Sequence, residues 1–130
     1  MTAGDPSPSA RDVADAFAAA IDGHRWDDLA AVLDDDFRCV LVHTGEEFTK
    51  DSWVRFNVEY PGFQRFIVQD VVAEDGRAVL RAHVTGLDAD GVLQHFEVAS
   101  FLTVRTGLVV ELTEVWADAT SHPPPGTRAE

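Results

Sequence analysis

Few side chains in this sequence could do chemistry, and one stands out by its position. Along Leu108–Ala117, strict alternation puts Leu108, Val110, Leu112, Glu114 and Trp116 on one face of a strand. Val109, Glu111, Thr113, Val115 and Ala117 take the other. Glu114 is then a carboxylate set in an apolar stripe. Burial raises a carboxyl pKa towards the range useful for proton abstraction, which makes Glu114 a candidate general base. The same position suits a structural carboxylate bonded to a Trp indole or a backbone amide, because an unpaired buried charge is costly. His43 ends an earlier strand whose face carries Phe37, Cys39 and Leu41. It reads as the acid–base partner of Glu114 or as an ordinary imidazole at a strand end. Tyr60, the one tyrosine, offers a hydroxyl as acid or oxyanion donor beside Pro61-Gly62.

The other reactive types point elsewhere. Cys39 has no cationic neighbour on its own face and reads as an inert buried thiol. His83, His95 and Glu97 alternate outward and match no zinc-ligand spacing. Asp34-Asp35-Asp36 reads as the solvated end of a helix. There is no glycine-rich phosphate loop, no Ser-His-Asp spacing and no CxxC. No metal or cofactor is therefore expected. Trp53, Phe56, Tyr60, Phe96 and Trp116 could line an aromatic pocket for a flat apolar ligand, or simply pack the core. Leu41, Val98, Ser100 and Leu112 complete the expected lining.

The elements that position these groups follow from periodicity. Ser9 and Asp12 resemble a capping box, behind which Val13, Ala16, Phe17, Ala20 and Ile21 make one helix face, ending at Gly23. A second short helix places Trp26, Leu29, Ala30 and Leu33 together. A strand runs from Phe37 to His43. Thr49 caps a third helix, with Phe48 and Trp53 spaced as a hydrophobic staple and Pro61-Gly62 as its end. Four strands follow as an antiparallel meander, turned at Asp75-Gly76, Ala89-Asp90-Gly91 and Arg105-Thr106-Gly107. Reading the last turn as a three-residue loop pairs residue 104 with 108, which sets Val98 opposite Glu114, Phe96 opposite Trp116 and Ser100 opposite Leu112. The outward face mixes Arg81, His83, His95 and Glu97 with Phe101, Val109 and Val115, and a homodimer packed sheet to sheet would cover it.

At 130 residues the chain fits one domain, expected at 9–119 between a loose leader (1–8) and a Pro-rich tail (120–130). A chain of this length buries about two-thirds of its extended surface. One cysteine forbids an internal disulfide. The start lacks the basic residues and apolar run of a signal peptide, so a cytoplasmic location is expected. With 23 acidic against 10 basic residues and a net charge of −13, a partner of nucleic acid or anionic membrane is not expected. The alanine-rich, lysine-poor composition suggests a GC-rich bacterial genome.

Four segments, FAAAIDGHRWDDLAAVLDDDF, NVEYPG, VVAEDGRAVLRAHVTG and FEVASFLTVRTGLVVELTEVWAD, together resemble the nuclear transport factor 2-like, or SnoaL-like, superfamily. The resemblance implies a cystatin-like α+β cone: three N-terminal helices on a curved, mainly antiparallel sheet, enclosing an apolar pocket, commonly in homodimers. It implies a small apolar cyclic ligand and, for catalytic members, cofactor-independent isomerase, cyclase or dehydratase chemistry. Non-catalytic binding members leave a ligand-binding or dimerisation module as the alternative. By the same resemblance, Leu41 stands where ketosteroid isomerases carry their general-base aspartate and Ser100 where they carry an oxyanion-hole aspartate. Their mechanism is thus not expected here, and Glu114 with His43 or Tyr60 becomes the candidate set.

Overall fold

The structure, a computed structural model, describes residues 7–128. Most of the expected leader, residues 1–6, and the last two residues of the tail lie outside the described part. Helix α1 (Ala10–Asp22) starts at Ser9, whose Oγ accepts the Asp12 amide at 3.1 Å. Its buried face is Val13, Ala14, Phe17, Ala18 and Ile21, joined by Ala10 and Ala20. Ala16, expected on that face, is exposed. Helix α2 (Trp26–Ala31) buries Leu29. Strands β1 (Leu33–Leu41) and β2 (Glu47–Thr49) precede helix α3 (Lys50–Glu59). The meander is β3 (Phe63–Glu74), β4 (Arg77–Leu87), β5 (Leu93–Arg105) and β6 (Leu108–Asp118). Three features were not expected. β2 is an additional edge strand. Asp34-Asp35-Asp36 lies within β1 instead of ending a helix. The cap of α3 is a reciprocal Thr49–Ser52 box, with serine in the position that usually holds glutamate.

The six strands form one open sheet in the order β2-β1-β6-β5-β4-β3. Only β1 and β6 run parallel; every other pairing is antiparallel. The three helices cover one face, so the expected α+β cone of helices on a curved, mainly antiparallel sheet is the architecture observed. Curvature comes from β-bulges, each of which inserts an unpaired residue and bends its strand. Two interrupt β3, at Gln64 and Gln69, and one interrupts β6 at Val110.

The bulge at Val110 corrects the alternation expected for β6. Val109 is fully buried on the core face, and the strand resumes its phase at Leu112 and Glu114. The turn before it holds two residues instead of three. Arg105 pairs with Leu108 across Thr106 (φ 49°) and Gly107 (φ 78°). Two left-handed residues in succession are the geometry of a tight hairpin. The turn and the bulge together shift the β5–β6 register by two residues from the expected one. Ser100, not Val98, faces Glu114, and Val98 faces Trp116. A shift of two preserves the faces.

At the start of β3 the sheet is tied to α1. Asp22, at the end of α1, accepts two hydrogen bonds from Arg65 (2.8 and 3.0 Å) and one from the Phe66 amide (2.8 Å). The arginine holds the Asp22 carboxyl below the usual range. Beside it Gly62 adopts φ 76°, and its carbonyl accepts the Leu87 amide at 2.8 Å. A side chain there would meet the Leu87 carbonyl, so only glycine allows β3 to start this close to β4.

Candidate functional site

The helices and sheet enclose a cavity of about 440 Å³. Its inner wall is apolar. Ile21 comes from α1, Leu41 from β1, Trp53 and Phe56 from α3, Phe66 from β3, Val84 from β4 and Phe96 from β5. Gly86 lines the same space, and a Cβ there would crowd the Gly62 carbonyl at 3.2 Å. Trp53 is held by rings on two sides, stacked on Phe17 (centroids 5.6 Å) and tilted against Phe37 (5.5 Å). Phe48, expected to pack on Trp53, meets Phe56 at 4.9 Å. Phe63 and Phe66 both face the cavity although three residues apart on a strand. The Gln64 bulge makes this possible by reversing the phase between them.

Among the described residues, Glu114 is the one ionisable side chain on the buried part of the wall, 4% exposed. Ser100 Oγ donates to its Oε2 at 2.9 Å, and the Trp116 indole Nε1 donates to its Oε1 at 3.1 Å. Leu41 of β1 sits directly across on the other side. Burial pushes the Glu114 carboxyl above its ordinary value, and the two donors act against that rise by favouring the charged form. Burial, with the Glu114 charge adding to it, also drives the Cys39 thiol up, which disfavours the reactive thiolate.

The remaining expected site residues divide into two sets. Trp116, Phe96, Trp53, Phe56 and Leu41 line the cavity, as do His43 and Tyr60. Val98, Ser100 and Leu112 do not reach it. They are buried in the sheet at or below 1% exposure, Ser100 acting through Glu114. His43 and Tyr60 stand at the exposed end, Tyr60 at 48% exposure with its ring edge-on to Phe56. The His43 ring lies 6.3 Å from Trp116. Among the described residues no hydrogen bond joins His43 or Tyr60 to Glu114, so the direct acid–base pair expected from sequence is not formed. The mouth also holds Thr44, Glu46, Asn57 and Asp118, none of which sequence reasoning singled out. Thr44 and Glu46 lie in the loop after β1, Asn57 in α3 and Asp118 at the end of β6, and only the closure of the cone gathers them.

On the opposite face of the sheet, His83 pairs with Glu97 through Nδ1 and with His95 through Nε2 (2.9 Å). Arg81 donates to the same glutamate at 3.2 Å. Hydrogen bonds and charge from His83 and Arg81 hold the Glu97 carboxyl below its ordinary value. Among the described residues no group of three or more His, Cys, Asp or Glu is arranged to hold a metal ion. Among the described residues no helix is long and apolar enough to cross a membrane.

The profile of the SnoaL-like domain matches residues 14–112, which span α1 to the middle of β6. The chain belongs to the SnoaL-like family. Among solved structures, this SnoaL-like domain resembles a Kribbella flavida protein assigned provisionally to the ketosteroid isomerases. The two are 31% identical with a TM-score of 0.81, over 95% of this chain and 88% of that one. A nuclear transport factor 2-like protein of unknown function from Burkholderia xenovorans is 21% identical, with a TM-score of 0.74, covering 88% and 87% of the two chains. An LEH-like epoxide hydrolase from M. tuberculosis shares the fold at 14% identity, with a TM-score of 0.72 over 83% and 82%. No curated protein matches the chain.

Proposed function

We propose that this SnoaL-like domain binds a small apolar cyclic molecule in its cone and moves a proton on it with Glu114 as base. The observation that carries this is a buried carboxylate with two donors fixed on it, at the wall of an apolar cavity large enough for such a molecule. Glu114 takes a proton from a carbon next to a carbonyl. The C–H pair becomes the C=C bond of an enolate while the carbonyl π pair moves onto the oxygen, which a hydroxyl at the mouth, Tyr60, or the His43 imidazole stabilises. The Glu114 acid then returns the proton, to the same carbon in a simple ketone or to the γ-carbon where a β,γ double bond extends the enolate. Ser100 and Trp116 fix the carboxylate in place. By the family resemblance, Leu41 and Ser100 occupy the positions of the isomerases' aspartates, and both lie beside Glu114 in the sheet. The acid group of this chain thus sits one strand away, within the same row.

The test follows deuterium incorporation next to the carbonyl of a cyclic ketone such as tetralone by NMR, for the wild type and Glu114→Gln. Loss of about 10²- to 10⁴-fold in exchange rate with the fold retained is the expected result. Equal exchange in both proteins would overturn catalysis by Glu114. The engagement of both Glu114 oxygens favours a second reading, a binding module in which the carboxylate is structural. That reading gives unchanged ligand affinity and no exchange in either protein.

We also propose a homodimer through the outer sheet face and a cytoplasmic location. The support for the dimer is that Phe101 and Val115 stand 37% and 43% exposed on the outer face, where Val40 and Ile67 are exposed as well. Sedimentation of Phe101→Glu checks it, with a monomer expected.

A further inference from the structure

The charges around the cavity are all of one sign. Glu46, Glu114 and Asp118 line it, and among the described residues no lysine or arginine does. None of these three carboxylates enters an ion pair among the described residues. Glu46 Oε1 accepts only from Thr44 Oγ1 (2.7 Å), and Asp118 Oδ1 accepts from the amide and hydroxyl of Thr120 (2.8 and 2.6 Å). Both side chains are exposed at the open end, whereas Glu114 is at the buried one. Tyr60, Trp116 and Phe63 bring aromatic rings to the same cavity. A narrow apolar cleft with low-dielectric walls focuses such a field, and aromatic faces add attraction for a cation.

We infer that the ligand carries a positive charge: an apolar ring, seated among Trp53, Phe66 and Val84, bearing an ammonium group that lies at the mouth between Glu46 and Asp118. This rests on the cavity being a ligand site, and it specifies the ligand further. Carboxylate- and phosphate-bearing molecules are rejected by the same field, which a chain of net charge −13 reinforces.

Three ring compounds of matched size separate the two ideas: cyclooctylamine, cyclooctanol and cyclooctanecarboxylate, titrated against tryptophan fluorescence at mildly alkaline pH and low salt. The amine is expected to bind about ten-fold tighter than the alcohol, and the carboxylate more weakly than either. Glu46→Gln combined with Asp118→Asn is expected to bring amine and alcohol within about two-fold of each other, leaving the alcohol unchanged, as is about 0.5 M NaCl. These are exposed side chains, so the double variant keeps its fold. Alcohol binding as tightly as amine, or a preference that survives the double variant, overturns the inference while leaving the cavity a ligand site. No binding by any of the three overturns both.

Discussion

Glu114 and Glu97 are the same residue type on neighbouring strands of one sheet, and their surroundings drive them in opposite directions. Glu114 faces the helices, is almost fully buried and meets only neutral donors, Ser100 and Trp116. Its carboxyl is pushed up by desolvation. Glu97 faces outward, half-buried, and meets an imidazole and a guanidinium. Its carboxyl is held down by them. The difference lies in what each side chain loses from water and what it receives in return. The proposed function assigns the base to the first, and a carboxylate stabilised by a nearby cation, like the second, is a weaker base. The outer His83–His95–Glu97 cluster, read from sequence as outward-facing with no metal-ligand spacing, lies on the face opposite the cavity that Glu114 lines.

The sharpest way to break the comparison is to remove partners from each glutamate in turn. Ser100→Val and Trp116→Phe each deprive buried Glu114 of a donor, and each is expected to cost about 1.5–3 kcal/mol in denaturant unfolding. His83→Ala, on the solvent side, is expected to cost under about 1 kcal/mol, as exposed pairs do. Equal losses on both faces would show that the inner network is no more demanding than the outer one.

The pH dependence of stability should separate them next, with opposite signs. A raised carboxyl pKa means that the folded state holds its proton more tightly than the unfolded chain. The stability Glu114 contributes is therefore full below the ordinary value of 4.5 and is lost as pH rises through the folded value. Thermal melting of Glu114→Gln should accordingly gain on the wild type as the solution becomes alkaline. Glu97 works the other way: its contribution is present above 4.5 and fades as pH falls through its lowered value. Glu97→Gln should be less stable than the wild type near neutrality, and the gap should close in acid. Parallel melting curves for the two variants would remove the distinction. The smallest effect is expected from salt, which should weaken the outer Arg81–Glu97–His83 cluster and leave the inner network almost untouched.

Much of this contrast was legible in the sequence because faces depend only on parity. Alternation along β6 places Glu114 inside, and alternation along β4 and β5 places His83, His95 and Glu97 outside, whatever the register. Which residue lies opposite Glu114 depended on the turn. Thr106-Gly107 as a two-residue hairpin with a left-handed threonine is not readable from Arg-Thr-Gly, which fits a three-residue loop equally well. Ser100 was thus placed on the right face but opposite the wrong neighbour. The bulges at Gln64 and Val110 carry no composition signal, since neither position holds glycine or proline. They decided that Phe63 joins Phe66 in the cavity and that Val109 joins Leu112 in the core. The mouth residues Glu46 and Asp118 were invisible for a different reason. They are ordinary loop and strand-end acids, brought together only where β1 runs parallel to β6, a pairing set by the whole topology.

The most direct measurement is a carbon-13 NMR titration of the glutamate side-chain carboxyls, with the Glu114 and Glu97 signals assigned by their loss in Glu114→Gln and Glu97→Gln. The expected result is a Glu114 midpoint above the ordinary 4.5 and a Glu97 midpoint below it. A Glu114 midpoint at or below 4.5 would mean that Ser100 and Trp116 outweigh burial, and that the carboxylate at the cavity wall is a structural acceptor with no base strength to spend on a ligand.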